Sequence, residues 1–170
     1  MKLIKATLND IKSLQEICIE AYSKSFKDHW IKNGFDLYID NQFNETKLTE
    51  DITNPNTDYY FISFESNNVG FLKIKYSINN TLNNDSELVK IYILPEYKGK
   101  GIGKLALNQI INKLCSIGKK TLILDVIDTN TNSIFFYEKM GFKKTGVTTL
   151  EEPFFRDELR GMFVMKLELS

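Results

Sequence analysis

Leu88-Val89-Lys90-Ile91-Tyr92-Ile93-Leu94-Pro95-Glu96-Tyr97-Lys98-Gly99-Lys100-Gly101-Ile102-Gly103-Lys104 decides how this chain is read. A β-rich apolar run stops at Pro95, and a glycine-rich turn then feeds a helical pattern that begins near Ile102. The order is strand, loop, helix. Residues without Cβ let successive backbone N–H groups converge on an anion. The first helical turn adds its own unpaired N–H groups and the positive end of its dipole. Lys98, Lys100 and Lys104 surround the turn with positive charge, so the stretch is built for a phosphate or pyrophosphate.

The spacing excludes two familiar phosphate loops. A Walker loop requires Gly-Lys-Ser/Thr, and Gly103-Lys104 is followed by Leu105, so the magnesium-binding hydroxyl is absent. A dinucleotide fingerprint requires Gly-x-Gly-x-x-Gly, whereas Gly99, Gly101 and Gly103 fall at every second position.

Working outward, Ile102, Leu105, Ala106, Gln109, Ile110, Lys113, Leu114 and Ile117 mark a helix that Gly118 should close. Residues 121 to 126 then read as an apolar strand buried on both faces, parallel to the central one and joined to it by a right-handed crossover. A short helix spans 131 to 140, and residues 142 to 150 and 160 to 168 are closing antiparallel strands. Upstream, residues 2 to 7 form a first strand. Asn9 is the expected cap of a helix whose apolar face is Ile11, Leu14, Ile17, Cys18, Ala21 and Tyr22. Helices follow around Phe35 to Phe43 and from the Asn44 cap to Pro55. Tyr59 to Glu65 and Val69 to Ile78 make a hairpin turning at Asn67-Asn68. Residues 79 to 86 are a polar loop within one sheet.

The strand ending in Pro-Glu-Tyr, followed by Lys98-Gly99-Lys100-Gly101-Ile102-Gly103, resembles the acetyl-coenzyme A loop of the GNAT N-acetyltransferases. The run Asn132-Ser133-Ile134-Phe135-Phe136-Tyr137-Glu138-Lys139-Met140-Gly141-Phe142 resembles that family's second cofactor motif. Lys98 departs from the family's usual Arg or Gln. The resemblance implies a single domain, residues 1 to 170, with a mixed, mostly antiparallel α/β sheet of six to seven strands, a parallel central pair and flanking helices. It further implies acetyl-coenzyme A as co-substrate, held by Ile91, Tyr92 and Ile93 of the central strand, by Lys98 to Lys104, and by Asn132 and Tyr137. Asn132 has a helix-capping alternative. Tyr137 is implied as the acid that protonates the departing thiolate. Glu87 stands where many members carry a basic glutamate, and a solvated strand-end carboxylate is the alternative.

Such chemistry needs a base, because an alkylammonium with a pKa of ~10.4 is only about one part in 10³ neutral at pH 7. Making the neutral amine available costs roughly 4 to 5 kcal/mol. The first helix and the Phe-Tyr-Glu-Lys-Met-Gly-Phe ending are also similar to spermidine/spermine acetyltransferases of the PaiA type. That likeness implies a polyamine or other small cationic amine as acceptor, bordered by Glu20, Tyr22, Phe26, Asp28 and Trp30, with Glu151 and Glu152 opposite. A protein, peptide or aminoglycoside acceptor, or a non-catalytic acyl-coenzyme A sensor, are the alternatives.

Composition sets outer limits. With 42% hydrophobic residues the chain can build a core, and 22 basic against 22 acidic residues create no field favouring nucleic acid or membrane. No apolar run approaches the ~20 residues a spanning helix needs, and a cytoplasmic location is expected. Cys18 and Cys115 lie on apolar helical faces and read as buried thiols. One histidine and two cysteines suggest no metal site. A homodimer is left open.

Overall fold

The computed structural model describes residues 1–78 and 84–170. Seven strands form one mixed sheet: β1 (Lys2–Lys5), β2 (Thr57–Phe64), β3 (Asn67–Lys75), β4 (Asp85–Ile93), β5 (Thr121–Ile127), β6 (Lys143–Thr149) and β7 (Gly161–Glu168). Their order is β1-β2-β3-β4-β5-β7-β6. Every neighbouring pair is antiparallel except β4 and β5. The helices are α1 (Ile11–Phe26), α2 (Gly34–Phe43), α3 (Glu45–Thr53), α4 (Ile102–Ser116) and α5 (Thr131–Lys139).

Strand alternation divides the core into two layers. Tyr60, Ile62, Leu72, Ile74, Leu88, Leu122 and Leu124 pack with α4 and α5 on one face. On the other face Tyr59, Phe61 and Phe71 pack with α1, α2 and α3 through Leu14, Ile17, Phe43 and Leu48. That second layer also buries charge. Asp51 accepts from Lys73 at 2.5 Å, from Lys47 at 3.0 Å and from the Tyr59 hydroxyl at 3.2 Å.

Local expectations fail where a neighbour outcompetes them. Asn9 does not cap the first helix. The Asp10 carboxylate accepts from the Thr7 backbone N–H at 2.8 Å and from its hydroxyl at 2.7 Å, so chain entry is tied at Thr7 and Asn9 lies inside a short 3₁₀ turn. The β2–β3 hairpin turns at Glu65 and Ser66 rather than at Asn67-Asn68. Phe64 pairs with Asn67, which leaves two loop residues, and both take positive φ, as the tight hairpin geometry demands. Strand β3 stops at Lys75, short of Ile78, and β1 stops at Lys5. Of the polar loop, residues 79–83 lie outside the described residues, and Asp85 and Ser86 belong to β4. Strand β5 is not apolar on both faces, since Asp125 is exposed. By contrast Asn44 caps α3, its Oδ1 accepting from the Lys47 N–H at 2.7 Å, and Gly118 follows α4 with φ +79°. Cys18 is buried, Cys115 is partly buried, and both are free thiols.

Candidate active site

The two parallel strands pair only at their beginnings. Asp85, Ser86 and Glu87 stand against Thr121, Leu122 and Ile123, and no pairing joins β4 to β5 beyond that point. Immediately after it, β4 carries an extra residue. Leu88 is opposite Ile74 and Lys90 is opposite Lys73, so Val89 is the bulge. Strand β5 continues with β7 through Ile127↔Met162, while β4 continues with β3 through Ile93↔Gly70. A wedge opens between them.

The backbone of β4 faces that wedge. The Leu94 N–H donates to the Val69 carbonyl at 2.9 Å, toward β3. Antiparallel pairing alternates the direction of successive N–H groups, so those of Ile91 and Ile93 point to the open edge. An extended amide-bearing ligand finds unused donors there.

At the end of β4, Pro95–Tyr97 makes a single 3₁₀ turn, and the glycine loop follows. Gly99 and Gly101 have φ +77° and +76°, a conformation that strains any L side chain, and a Cβ on either would meet nothing within 4 Å. Their requirement is therefore conformational. Gly103 differs: a Cβ there would lie 3.4 Å from Ile93 Cδ1, in ordinary contact. Gly101 leads directly into α4, whose first N–H groups face the loop.

These parts share one cavity of about 1150 Å³, which is larger than the roughly 300–1,000 Å³ of a typical small-molecule pocket. Its walls include Glu87 to Ile93, Lys98, Gly99, Gly101 to Lys104, Asn132 and Tyr137. Lys100 is not among them, and its ammonium sits 4.9 Å from the Tyr97 ring centroid. Asn132, in the first turn of α5, is exposed. It is not the helix cap, because Asn130 Oδ1 accepts from the Ser133 N–H. Tyr137 is 9% exposed and packs 5.2 Å from Phe136 and 5.6 Å from Phe142. Burial pushes its hydroxyl pKa well up, so it stays protonated at neutral pH.

The remaining walls carry charge and rings. Glu87 lies 3.6 Å from Lys75. Asp125 projects from β5 on the same side, and desolvation, reinforced by the Glu87 charge, raises its pKa. Glu151 and Glu152 also line the cavity. The stretch that holds them is fixed to the region after α1. Trp30 bridges Phe155, the Arg156 N–H donates to the His29 carbonyl at 2.9 Å, and the Arg156 guanidinium donates to the Asp28 carbonyl at 2.9 Å. Tyr22, Phe26, His29, Trp30, Tyr38 and Phe155 complete the aromatic wall. Tyr22 stacks on Tyr38 at 4.7 Å and on Phe26 at 5.1 Å.

Two expected acceptor residues stand apart from the cavity. Glu20 pairs with Lys24 at 2.7 Å on the exposed side of α1, and Asp28 contributes its backbone carbonyl to Arg156. Among the lining residues that the sequence did not single out are Asp125, Lys90 and Tyr38. For the first two a signal exists in the sequence, an ionisable residue within an apolar run, Lys90 in Leu88 to Leu94 and Asp125 in Thr121 to Ile127. Among the described residues, no group of three or more His, Cys, Asp or Glu could hold a metal ion, and no helix is long and apolar enough to cross a membrane.

Comparison with known proteins points the same way. The ribosomal protein bS18-alanine N-acetyltransferase of Haemophilus influenzae is 39% identical over 74 residues, 44% of this chain and 50% of that protein. The chain thus spans about half the length of that curated relative. The spermidine N(1)-acetyltransferase of Thermoplasma acidophilum is 26% identical over 147 residues, 84% of this chain and 88% of that protein. The crystal structure of the PaiA N-acetyltransferase of Thermoplasma acidophilum in complex with coenzyme A covers 98% of both chains with a TM-score of 0.78. Sequence identity in that superposition is 23%, so the likeness is one of fold. The model of the acetyltransferase (GNAT) family matches residues 12–142, well over half of the sequence and the whole span from α1 through the wedge to α5, and the chain belongs to that family.

Proposed function

We propose that the chain is a single-domain, acetyl-coenzyme A-dependent N-acetyltransferase acting on a primary amine by direct attack in a ternary complex. One observation carries this reading: an unpaired strand edge, a glycine loop at a helix start and a buried tyrosine line one cavity. Lys98, Gly99, Gly101, Gly103 and Lys104, with the α4 N-terminus, take the pyrophosphate. The edge from Ile91 to Ile93 takes the amides of the pantetheine arm, and Asn132 lies beside it. Lys100 adds positive charge from outside the cavity wall.

The chemistry then divides among groups already in place. The acceptor arrives as an ammonium, and Glu87 with Asp125 removes its proton, directly or through water. A carboxylate with a raised pKa is the better base, and at Asp125 partial desolvation in the cavity and the Glu87 charge act in that direction. The neutral amine attacks the thioester carbonyl, and the N–H groups of the β4 edge stabilise the oxyanion. As the C–S bond breaks, Tyr137 gives its proton to the thiolate, and the surplus proton on the new amide nitrogen leaves through water and restores the Tyr137 hydroxyl. The products are an N-acetyl amine and free coenzyme A.

For the acceptor, the acidic wall of Glu87, Asp125, Glu151 and Glu152 supports a small cationic amine, polyamines being the most highly charged of these. Lys90, a cation in the same cavity, would repel a second ammonium group, which favours an acceptor with a single amine as the second reading. The test incubates purified protein with acetyl-coenzyme A and a panel of spermidine, alkylamines, amino acids, aminoglycosides and N-terminal peptides, following free thiol. Thiol release with an amine is the expected result. Acetyl-coenzyme A binding with no thiol release for any amine would instead make the chain an acyl-coenzyme A-sensing module.

A further inference from the structure

Lys73 and Lys90 stand opposite one another on β3 and β4, on the face covered by α1, α2 and α3. Lys73 is 5% exposed and bonded to Asp51 at 2.5 Å. Lys90 has no carboxylate within 4.0 Å among the described residues. Its ammonium lies 5.8 Å from the Tyr38 ring centroid and 5.9 Å from that of Phe43, and its side chain lines the cavity. Burial lowers its pKa, against the Cys18 thiol and the more distant Glu152, Asp51 and Glu87 carboxylates, which act in the opposite sense.

A second donor nearby is also unused. Trp30 is 7% exposed and lines the cavity, and its ring lies 4.8 Å from Tyr38. Its Nε1–H is buried without a hydrogen-bond partner among the described residues. The Tyr22 hydroxyl is near enough to feel that N–H, yet the pair does not reach hydrogen-bond geometry. Tyr38 thus lies between the Lys90 ammonium and the Trp30 ring, and the ammonium has no carboxylate in contact among the described residues. Buried donors are ordinarily satisfied, and a buried charge is ordinarily paired. Of the carboxylates that line the cavity, Glu87 and Asp125 stand where β4 and β5 begin to separate, while Glu151 and Glu152 come from the stretch before Phe155, and the Glu152 charge reaches Lys90 without forming an ion pair with it. Beneath α1 and α2 the cavity thus holds an ammonium with no carboxylate in contact among the described residues.

We propose that Lys90 forms a subsite for a carboxylate carried by the acceptor, so that the preferred acceptor is a small amino carboxylate rather than a bare polycation. The amine lies toward Glu87 and Asp125 and the carboxylate toward Lys90, with the aromatic wall against the intervening carbons. Lys90 then acts on specificity and takes no part in the proton transfers. This rests on the acetyltransferase reading of the cavity.

The experiment compares ω-amino carboxylates with n-alkylamines of the same carbon number, and with spermidine, in wild type and in Lys90→Met. Catalytic efficiency is followed by thiol release. Wild type should prefer the amino carboxylate at least tenfold over the matched alkylamine. Lys90→Met should bring that ratio close to one, chiefly through KM, and Lys90→Glu should turn it toward spermidine. Urea titration and circular dichroism establish that both variants are folded. A wild-type preference for spermidine, no preference between the matched pair, or an unchanged ratio in folded Lys90→Met overturns the subsite. Calorimetric titration of the amino carboxylates into both proteins, without acetyl-coenzyme A, separates the two claims. Binding to wild type that weakens at least tenfold in Lys90→Met supports the subsite even where no acceptor releases thiol. Absence of binding to wild type overturns it.

Discussion

The lysine pair on β3 and β4 shows how one sheet treats the same side chain in two ways. Lys73 and Lys90 are cross-strand neighbours under the same three helices. Around Lys73 the protein supplies everything: Asp51 at 2.5 Å, the Tyr59 ring at 5.2 Å, and Lys47 and the Tyr59 hydroxyl on the remaining valences of the carboxylate. Around Lys90 it supplies aromatic faces and, among the described residues, no carboxylate within 4.0 Å. The difference follows from where the strands go. Lys73 lies beneath α3, which brings Asp51 over the sheet, while Lys90 follows the Val89 bulge and borders the opening wedge. The Lys73 charge is neutralised inside the fold, whereas Lys90, Asp125 and Tyr137 line the open cavity with no ion pair among the described residues.

The contrast can be broken most sharply at Tyr137. Tyr137→Phe keeps the ring contacts with Phe136 and Phe142 and removes the acid, so turnover should fall by about 10²- to 10⁴-fold with little change in urea midpoint. Single-turnover kinetics with thiol detection checks it. Full activity there would assign the proton to another group.

Asp51→Asn is the complementary test on the closed side. It strands Lys73 without a counter-charge, and the expected loss is about 3–5 kcal/mol of stability by urea titration. The pH dependence has a definite sign. Burial alone would raise the Asp51 carboxyl, but the Lys73 and Lys47 ammonium groups outweigh it and hold the pKa below its ordinary value. A depressed folded-state pKa means that this stabilisation is fully present above the unfolded value of ~3.9 and is lost as pH falls through the lower folded value. The acid limb of a stability–pH curve should therefore flatten in the variant. An unaltered limb would mean that other carboxylates govern acid unfolding.

Within the loop, Gly101→Val should weaken acetyl-coenzyme A binding about tenfold, because a left-handed β-branched residue costs about 1–2 kcal/mol. Gly103→Ala should do much less, its Cβ meeting Ile93 Cδ1 at contact distance. Calorimetry separates the two. Equal losses would place the requirement in space rather than in φ.

The smallest effect belongs to the other lysine. Lys90→Met removes a lone, partly buried ammonium and should leave stability within about 1 kcal/mol of wild type, or raise it. A loss as large as that of Asp51→Asn would make Lys90 a structural charge after all and erase the distinction between the two lysines.

The local elements around the glycine loop were legible in the sequence. The strand, loop and helix around Gly99 to Gly103, the Asn44 cap and the Gly118 stop all rest on interactions spanning a few residues, and the structure contains each of them. Glu20 and Asp28 were misplaced for the opposite reason. Helical spacing puts them near Tyr22 and Trp30 in sequence, but the first forms an exposed i,i+4 pair with Lys24 and the second turns its carbonyl to Arg156.

The sequence by itself determined the element order, the glycine conformations of the loop and the family to which the chain belongs, because these are written in short-range sterics and in motifs of a dozen residues. Only the tertiary structure decided where β4 leaves β5, that Val89 is the bulge, and that Asp125, Lys90 and Trp30 share a cavity with Tyr137. The reason is register. Which face a strand residue presents, and whether a charge meets a partner, depends on pairing between segments far apart in the chain, and one inserted residue in β4 shifts both.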